Sequence, residues 1–115
     1  MPPTLADRVA HILESIEVIR QLLSGRTKES LGGDLFARLA LERSFEIISE
    51  ASRRIPEAIK AENSDIDWAG MAALGNRLRH AYHRIDIEIL MKIAEHDLPP
   101  LQKFTEGVIR GARNR

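Results

Sequence analysis

Cysteine is absent from the 115-residue chain, which excludes a disulfide framework, a thiolate nucleophile and any cysteine-based metal site. Aromatic residues are scarce at 4%, although apolar residues together reach 43%. Leucine, isoleucine, alanine and valine must therefore fill the interior, a composition that suits helices better than sheets. Long hydrophobic runs are missing: the apolar stretches are a few residues each, far short of the roughly 20 that a membrane span needs. The opening residues do not read as a basic-then-apolar leader, so the expected location is the cytoplasm, away from the membrane. A surplus of either charge is missing too, with 17 basic residues against 17 acidic. That balance argues against a domain that coats nucleic acid non-specifically, because neutralising phosphates takes an excess of Lys and Arg. The charge is nevertheless uneven along the chain. Between Asp67 and Asp86 stand Arg77, Arg79 and Arg84 and no carboxylate.

A chain of this length can form one hydrophobic core, so 1–115 reads as a single domain. Leu5, Val9, Ile12, Leu13, Ile16, Ile19 and Leu23 recur at the spacing of one helical face and predict a helix from Thr4 to Leu23. A polar loop is expected between Gly25 and Gly33. Asp34 then stands as the N-cap of a second helix that carries Leu35, Leu39, Ser44 or Phe45, Ile48, and Ala51 or Ser52. Pro56 ends it near Ile55, with a short helical turn through Ala61. Asp67 can cap a third helix with Trp68, Met71, Ala72, Gly75, Leu78, Tyr82 and Ile85 on its apolar stripe. Asp86 caps a fourth through Ile87, Leu90, Met91 and Ile93. Asp97-Leu98-Pro99-Pro100 interrupts it and restarts a helix through Leu101, Phe104 and Val108, and the tail from Arg110 is expected to fray. These elements make an all-α protein, a four- to five-helix up-and-down bundle.

The chemistry concentrates in the third helix. Three- and four-residue steps place Asn76, Arg79, His80, His83 and Arg84 on one polar face, opposite Leu78 and Ile85. A histidine near neutral pKa can take or give a proton, neighbouring arginines can hold a phosphate, and Asn76 can orient the His80 ring or a phosphate oxygen. A basic bundle face also serves solubility or pairs with carboxylates. Glu42, Glu46 and Glu50 stand at four-residue steps as metal-binding carboxylates do in some bundles, but without Glu-x-x-His partners they read as a solvated face paired to Arg43, Arg53 or Arg54. His11 and His96 read as surface or packing residues, and Trp68 as core or interface. Gly75 lies mid-helix at a cost of about 1 kcal/mol relative to Ala, which points to close packing or room for a ligand.

The run Asn76-Arg77-Leu78-Arg79-His80-Ala81-Tyr82 resembles the signature of the HEPN superfamily, in particular its HepT-like toxin branch. Leu41 to Ala51 resembles the second-helix motif of that branch, Trp68 occupies its expected place, and Asp97-Leu98-Pro99 resembles its late helix break. The resemblance implies an HEPN-like bundle that forms a homodimer, with paired R-x(4 to 6)-H motifs in a cleft. It implies a metal-independent endoribonuclease that needs no cofactor and promotes attack of a ribose 2′-hydroxyl on its own phosphate. It also implies a toxin–antitoxin pair, in which a small nucleotidyltransferase antitoxin attaches AMP to the motif tyrosine.

Carried onto this chain, the motif histidine is His80, the asparagine is Asn76 and the modified tyrosine is Tyr82. Gly75 stands where the motif arginine belongs. Arg79, on the polar face with Asn76 and His83, is the preferred substitute for its charge, with Arg77, His83 and Arg84 as auxiliary phosphate contacts. The competing expectation is a catalytically degenerate dimer that only binds the nucleotidyltransferase. A third is a structural helical dimer with an uninformative basic face.

Overall fold

The computed structural model describes residues 3–80 and 85–114, and these are helical with no strand among them. Thr4 opens α1 (Leu5–Leu23) through a capping box, its hydroxyl accepting from the Asp7 N–H while the Asp7 carboxylate accepts from the Thr4 N–H. The expected loop after α1 contains a further short helix, α2 (Lys28–Gly32), capped by the Thr27 side chain. Its cause is Leu31, which is fully buried and draws this stretch onto the core. Asp34 caps α3 (Leu35–Arg53) by accepting from the Ala37 N–H at 3.0 Å, and Arg26 clamps its other oxygen at 3.1 Å. The anticipated turn after Pro56 is α4 (Glu57–Glu62).

Asp67 receives the Gly70 N–H at 2.9 Å at the head of α5 (Trp68–His80). Asp86 caps α6 (Ile87–His96) through the Glu88 N–H. Asp97 then both ends α6 and begins α7 (Leu98–Arg113), whose first turn accommodates Pro99 and Pro100 because proline lacks only an N–H that is unpaired there anyway. The tail does not fray at Arg110: α7 continues to Arg113, with Val108 and Ile109 packed against the core.

One apolar cluster draws on every helix except α4. Phe45, Ile12, Ile16, Ile19, Leu41 and Ile48 lie fully buried at its centre. α1 and α3 form the middle pair, α5 packs on α3, and α7 packs on α1 with α6 beside it. The pairs run antiparallel. Arg8 and His11 lie by Ala51 and Arg54, Leu23 lies by Leu98 and Leu5 by Val108, and Gly75 lies by Ser49. α1, α3, α5 and α7 are the anticipated up-and-down bundle, and α6 packs at one end of it against α2 and α7.

Two expected core positions are not in the core. Leu35 and Leu39 remain 46% and 50% exposed beside Phe36 at 84%, because Ala37 and Leu41 carry the buried stripe of α3 instead. Trp68 closes the α4–α5–α7 corner. Its indole N–H donates to the Asn63 carbonyl at 3.1 Å, Phe104 meets its ring edge-on at 5.5 Å, and the Lys60 ammonium lies 5.9 Å from the ring centre.

Candidate functional site

The last described turns of α5 are built from apolar residues and a glycine inside and polar residues outside. Met71, Leu74 and Gly75 face α3 and are buried, whereas Asn76, Arg77, Arg79 and His80 are exposed. Leu78 is half-buried against the core, so the expected division between a polar face and an apolar one holds as far as His80. Arg77, Arg79 and His80 stand together in the last described turn of α5. Tyr82, His83 and Arg84 lie outside the described residues.

Gly75 has a direct structural cause. A Cβ placed on it would fall on the Oγ and Cβ of Ser49, itself 1% exposed. α3 and α5 therefore approach too closely for any side chain at position 75, and the motif arginine has no room on this backbone. Beside the glycine opens a cleft of about 250 Å³ lined by Arg43, Glu46, Ser49, Glu50, Gly75 and Arg79. Arg79 reaches across it to Glu50 at 3.8 Å, and Arg43 lies 3.7 Å from Glu46. Glu50 also accepts from Arg54 at 3.4 Å. Glu46 and Glu50 thus pair with arginines as expected for a solvated face, Glu50 gaining Arg79 as well.

Asn76 and His80 are on the same side of α5, but no hydrogen bond joins them among the described contacts; Asn76 holds no fixed ring-orienting bond here. Further along the α3–α5 seam, Arg38 donates to the Ile85 carbonyl at 3.4 Å. Its Nε and the Oε2 of half-buried Glu42 are enclosed without a partner among the described residues. Arg43 and Arg38 escaped sequence reasoning as site residues because neither belongs to the α5 motif. The signal that finds them is antiparallel register, which sets Arg43 near Arg79 and Arg38 near Ile85.

The Ribonuclease HepT-like family model matches residues 12–108, which include the whole α3–α5 seam. The chain belongs to this family. It is 34% identical over 96 residues, 84% of this chain and 87% of the relative, to a protein of Thermococcus cleftensis described as "Probable ribonuclease HepT". It is 33% identical over 97 residues, covering 84% and 89%, to a Methanocaldococcus jannaschii protein described as a "Putative RNase". A Caldanaerobacter subterraneus protein with the same description is 26% identical over 100 residues, covering 87% and 89%. No solved structure gives a significant match. Among the described residues, no helix is long and apolar enough to cross a membrane.

Proposed function

We propose that this chain is the ribonuclease component of a toxin–antitoxin pair and cuts RNA, without a metal ion, in a cleft between two copies of itself. The observation that carries the reading is the exposure of Asn76, Arg79 and His80 together on the last turns of α5, in a chain of the HepT-like ribonuclease family. His80 of one copy takes the proton of a ribose 2′-hydroxyl, whose oxygen attacks the adjacent phosphorus. Arg79 bears the growing negative charge on the phosphoryl oxygens while Asn76 positions one of them. The bond from phosphorus to the 5′ oxygen breaks, and that oxygen receives a proton from the second copy's histidine. The products are a 2′,3′-cyclic phosphate and a 5′-hydroxyl. Acid–base catalysis of this kind contributes roughly 10²–10⁴-fold.

The dimer reading is supported by the exposed apolar residues Leu35, Phe36 and Leu39. They occupy the start of α3, the end of that helix which Arg38 ties to Ile85, just past the motif. A second copy seated on this face brings two α5 ends together. The nucleotidyltransferase antitoxin and AMP transfer to Tyr82 rest on the H-x-Y element His80-Ala81-Tyr82; mass spectrometry after co-expression with a candidate antitoxin, with Tyr82→Phe as control, tests them.

One observation favours a second reading, a catalytically degenerate binding partner: Ser49 leaves no space for the motif arginine at Gly75. Loss of that charge removes transition-state stabilisation worth roughly 3 kcal/mol or more unless another group supplies it. Purified protein incubated with RNA in EDTA separates the two. Cleavage that ends in cyclic phosphate and disappears in His80→Ala supports the ribonuclease; intact RNA at every protein concentration supports the degenerate partner.

A further inference from the structure

The cleft at Gly75 does not end at α3. Arg43 and Glu50 also line a second cleft of about 170 Å³, between α1 and α3, together with Arg8, His11 and Arg54. The two depressions share a wall and form one path from Arg79 on α5, over α3, to Arg8 on α1. Four arginines line it against the two carboxylates of Glu46 and Glu50. Three other clefts between described residues lack this surplus. Lys103 is outnumbered by Glu62 and Asp65 in one, Lys60 by Glu57 and Asp67 in another, and Arg20 is matched by Glu95 in a third. In a chain with no net charge, a cationic path confined to the surface that adjoins Arg79 selects an anionic ligand there.

The path is also available to such a ligand. The side chains of Arg43, Arg54 and Arg79 are 69%, 57% and 45% exposed. Arg43 and Arg79 stand 3.7 and 3.8 Å from their glutamates, beyond good hydrogen-bonding distance, so their N–H donors are left open. Exposed pairs of this kind contribute little to stability and are readily exchanged for a phosphate, which a guanidinium binds through two parallel bonds.

We infer that the path Arg79–Arg43–Arg54–Arg8 is the track along which the RNA backbone leaves the reaction centre. This inference rests on the reading of the chain as an RNA-acting protein. The track spans two interhelical spacings of about 8–10 Å each, the reach of a few nucleotides. No Phe, Tyr or Trp lines either cleft and His11 is the one aromatic ring there, so the row of stacking platforms that many single-strand grooves use is missing. The grip is on phosphates, indifferent to sequence and steeply dependent on salt.

The test is binding of a labelled unstructured RNA of about 20 nucleotides by the full-length chain in the His80→Ala background, measured by anisotropy across a salt series. Cleavage by the protein with His80 intact is measured in parallel. Arg8→Gln with Arg43→Gln is compared with Arg20→Gln with Lys92→Gln, an equal charge loss elsewhere on the surface, and with Arg8→Lys and Arg43→Lys, which keeps the charge. The track variant is expected to bind roughly 10-fold more weakly at about 0.1 M salt. Its log–log salt slope should be shallower by about 1.4, since each of the two lost single-strand phosphate contacts contributes about 0.7, while the control stays near the parent and the lysine variant, which keeps the charge but not the paired bonds, keeps the parent's slope with an intermediate affinity. Equal losses in track and control variants, or no RNA binding by the parent at any salt, overturn the track. Cleavage by the parent alongside unchanged binding by the track variant overturns the track but leaves the ribonuclease standing. Track-dependent binding without cleavage supports the track and removes the ribonuclease.

Discussion

Gly75 on α5 lies so close to Ser49 on α3 that a Cβ on the glycine would coincide with the serine side chain. The contact fixes how near two core helices come and decides which residue can stand at the centre of the motif. Gly75→Ala should therefore destabilise the protein by about 1–3 kcal/mol, as overpacking does, even though alanine is intrinsically the better helix former by about 1 kcal/mol. Urea unfolding checks this, and adding Ser49→Gly should recover part of the loss. Gly75→Arg should unfold more easily than Gly75→Ala and gain no RNase activity.

Arg79 and Glu50 make a different kind of pair, long and solvent-exposed. Glu50→Gln should leave the unfolding free energy within about 0.5 kcal/mol of the parent while raising RNA affinity a few-fold, because the guanidinium loses its resident anion. Arg79→Ala should lower kcat/KM for RNA by roughly 10²–10³, the usual effect of removing one donor to a developing oxyanion, with an unchanged melting curve. A melting temperature that falls with the activity would return Arg79 to a structural role.

Phe36 on α3 is 84% exposed, so replacing it disturbs no packing within one copy. Phe36→Glu combined with Leu39→Glu should convert a dimer to a folded monomer in sedimentation velocity, with unchanged helical circular dichroism and RNA cleavage at least about 10-fold lower. A dimer that persists in this variant would move the subunit contact to another face.

Two sets of carboxylates give opposite responses to pH. Backbone N–H donation from Ala37, then the Arg26 guanidinium, holds Asp34 below its ordinary value of 3.8; the Thr4 backbone and hydroxyl do the same for Asp7. Their contribution is complete above the unfolded value and disappears as pH falls through the lower folded one. Asp97 is raised instead, chiefly by desolvation and secondarily by Asp67. It binds its proton more tightly folded than unfolded, so its ionisation costs stability as pH rises through that window. Its side chain makes no cap bond to α7. Asp97→Asn should thus raise the melting temperature at pH 7, with the gain vanishing below about pH 3.8, the reference value, whereas Asp34→Ala, which removes the N-cap of α3, should lower it at neutral pH and by less in acid.

The frame of the bundle was legible because its punctuation is local. Asp34, Asp67 and Asp86 each announce a helix start through a bond to an amide two or three residues away, and the spacing from Val9 to Ile19 needs no tertiary knowledge. α2 was hidden because Leu31 is a single apolar residue in a polar stretch, and only the cavity it fills makes that stretch helical. Leu35 and Leu39 misled for the converse reason. They continue a four-residue rhythm, but they lie on the side of α3 turned away from the buried stripe of Ala37 and Leu41. At the site, the exposed character of Asn76, Arg79 and His80 follows from α5 alone. The cause of Gly75 and the place of Arg43 follow from the antiparallel register of α3 and α5, which no stretch of either helix contains by itself.

Trp68 is the single tryptophan of the chain, and its position gives the protein an intrinsic optical reporter. The indole is wedged among Asn63, Lys60 and Phe104, where emission responds to the joining of α4, α5 and α7. It stands twelve residues before His80 on one continuous helix, hence about 18 Å away along the axis. A substitution at the reactive end that leaves the emission spectrum unchanged has altered chemistry and not architecture, and each variant can be sorted in this way without a label.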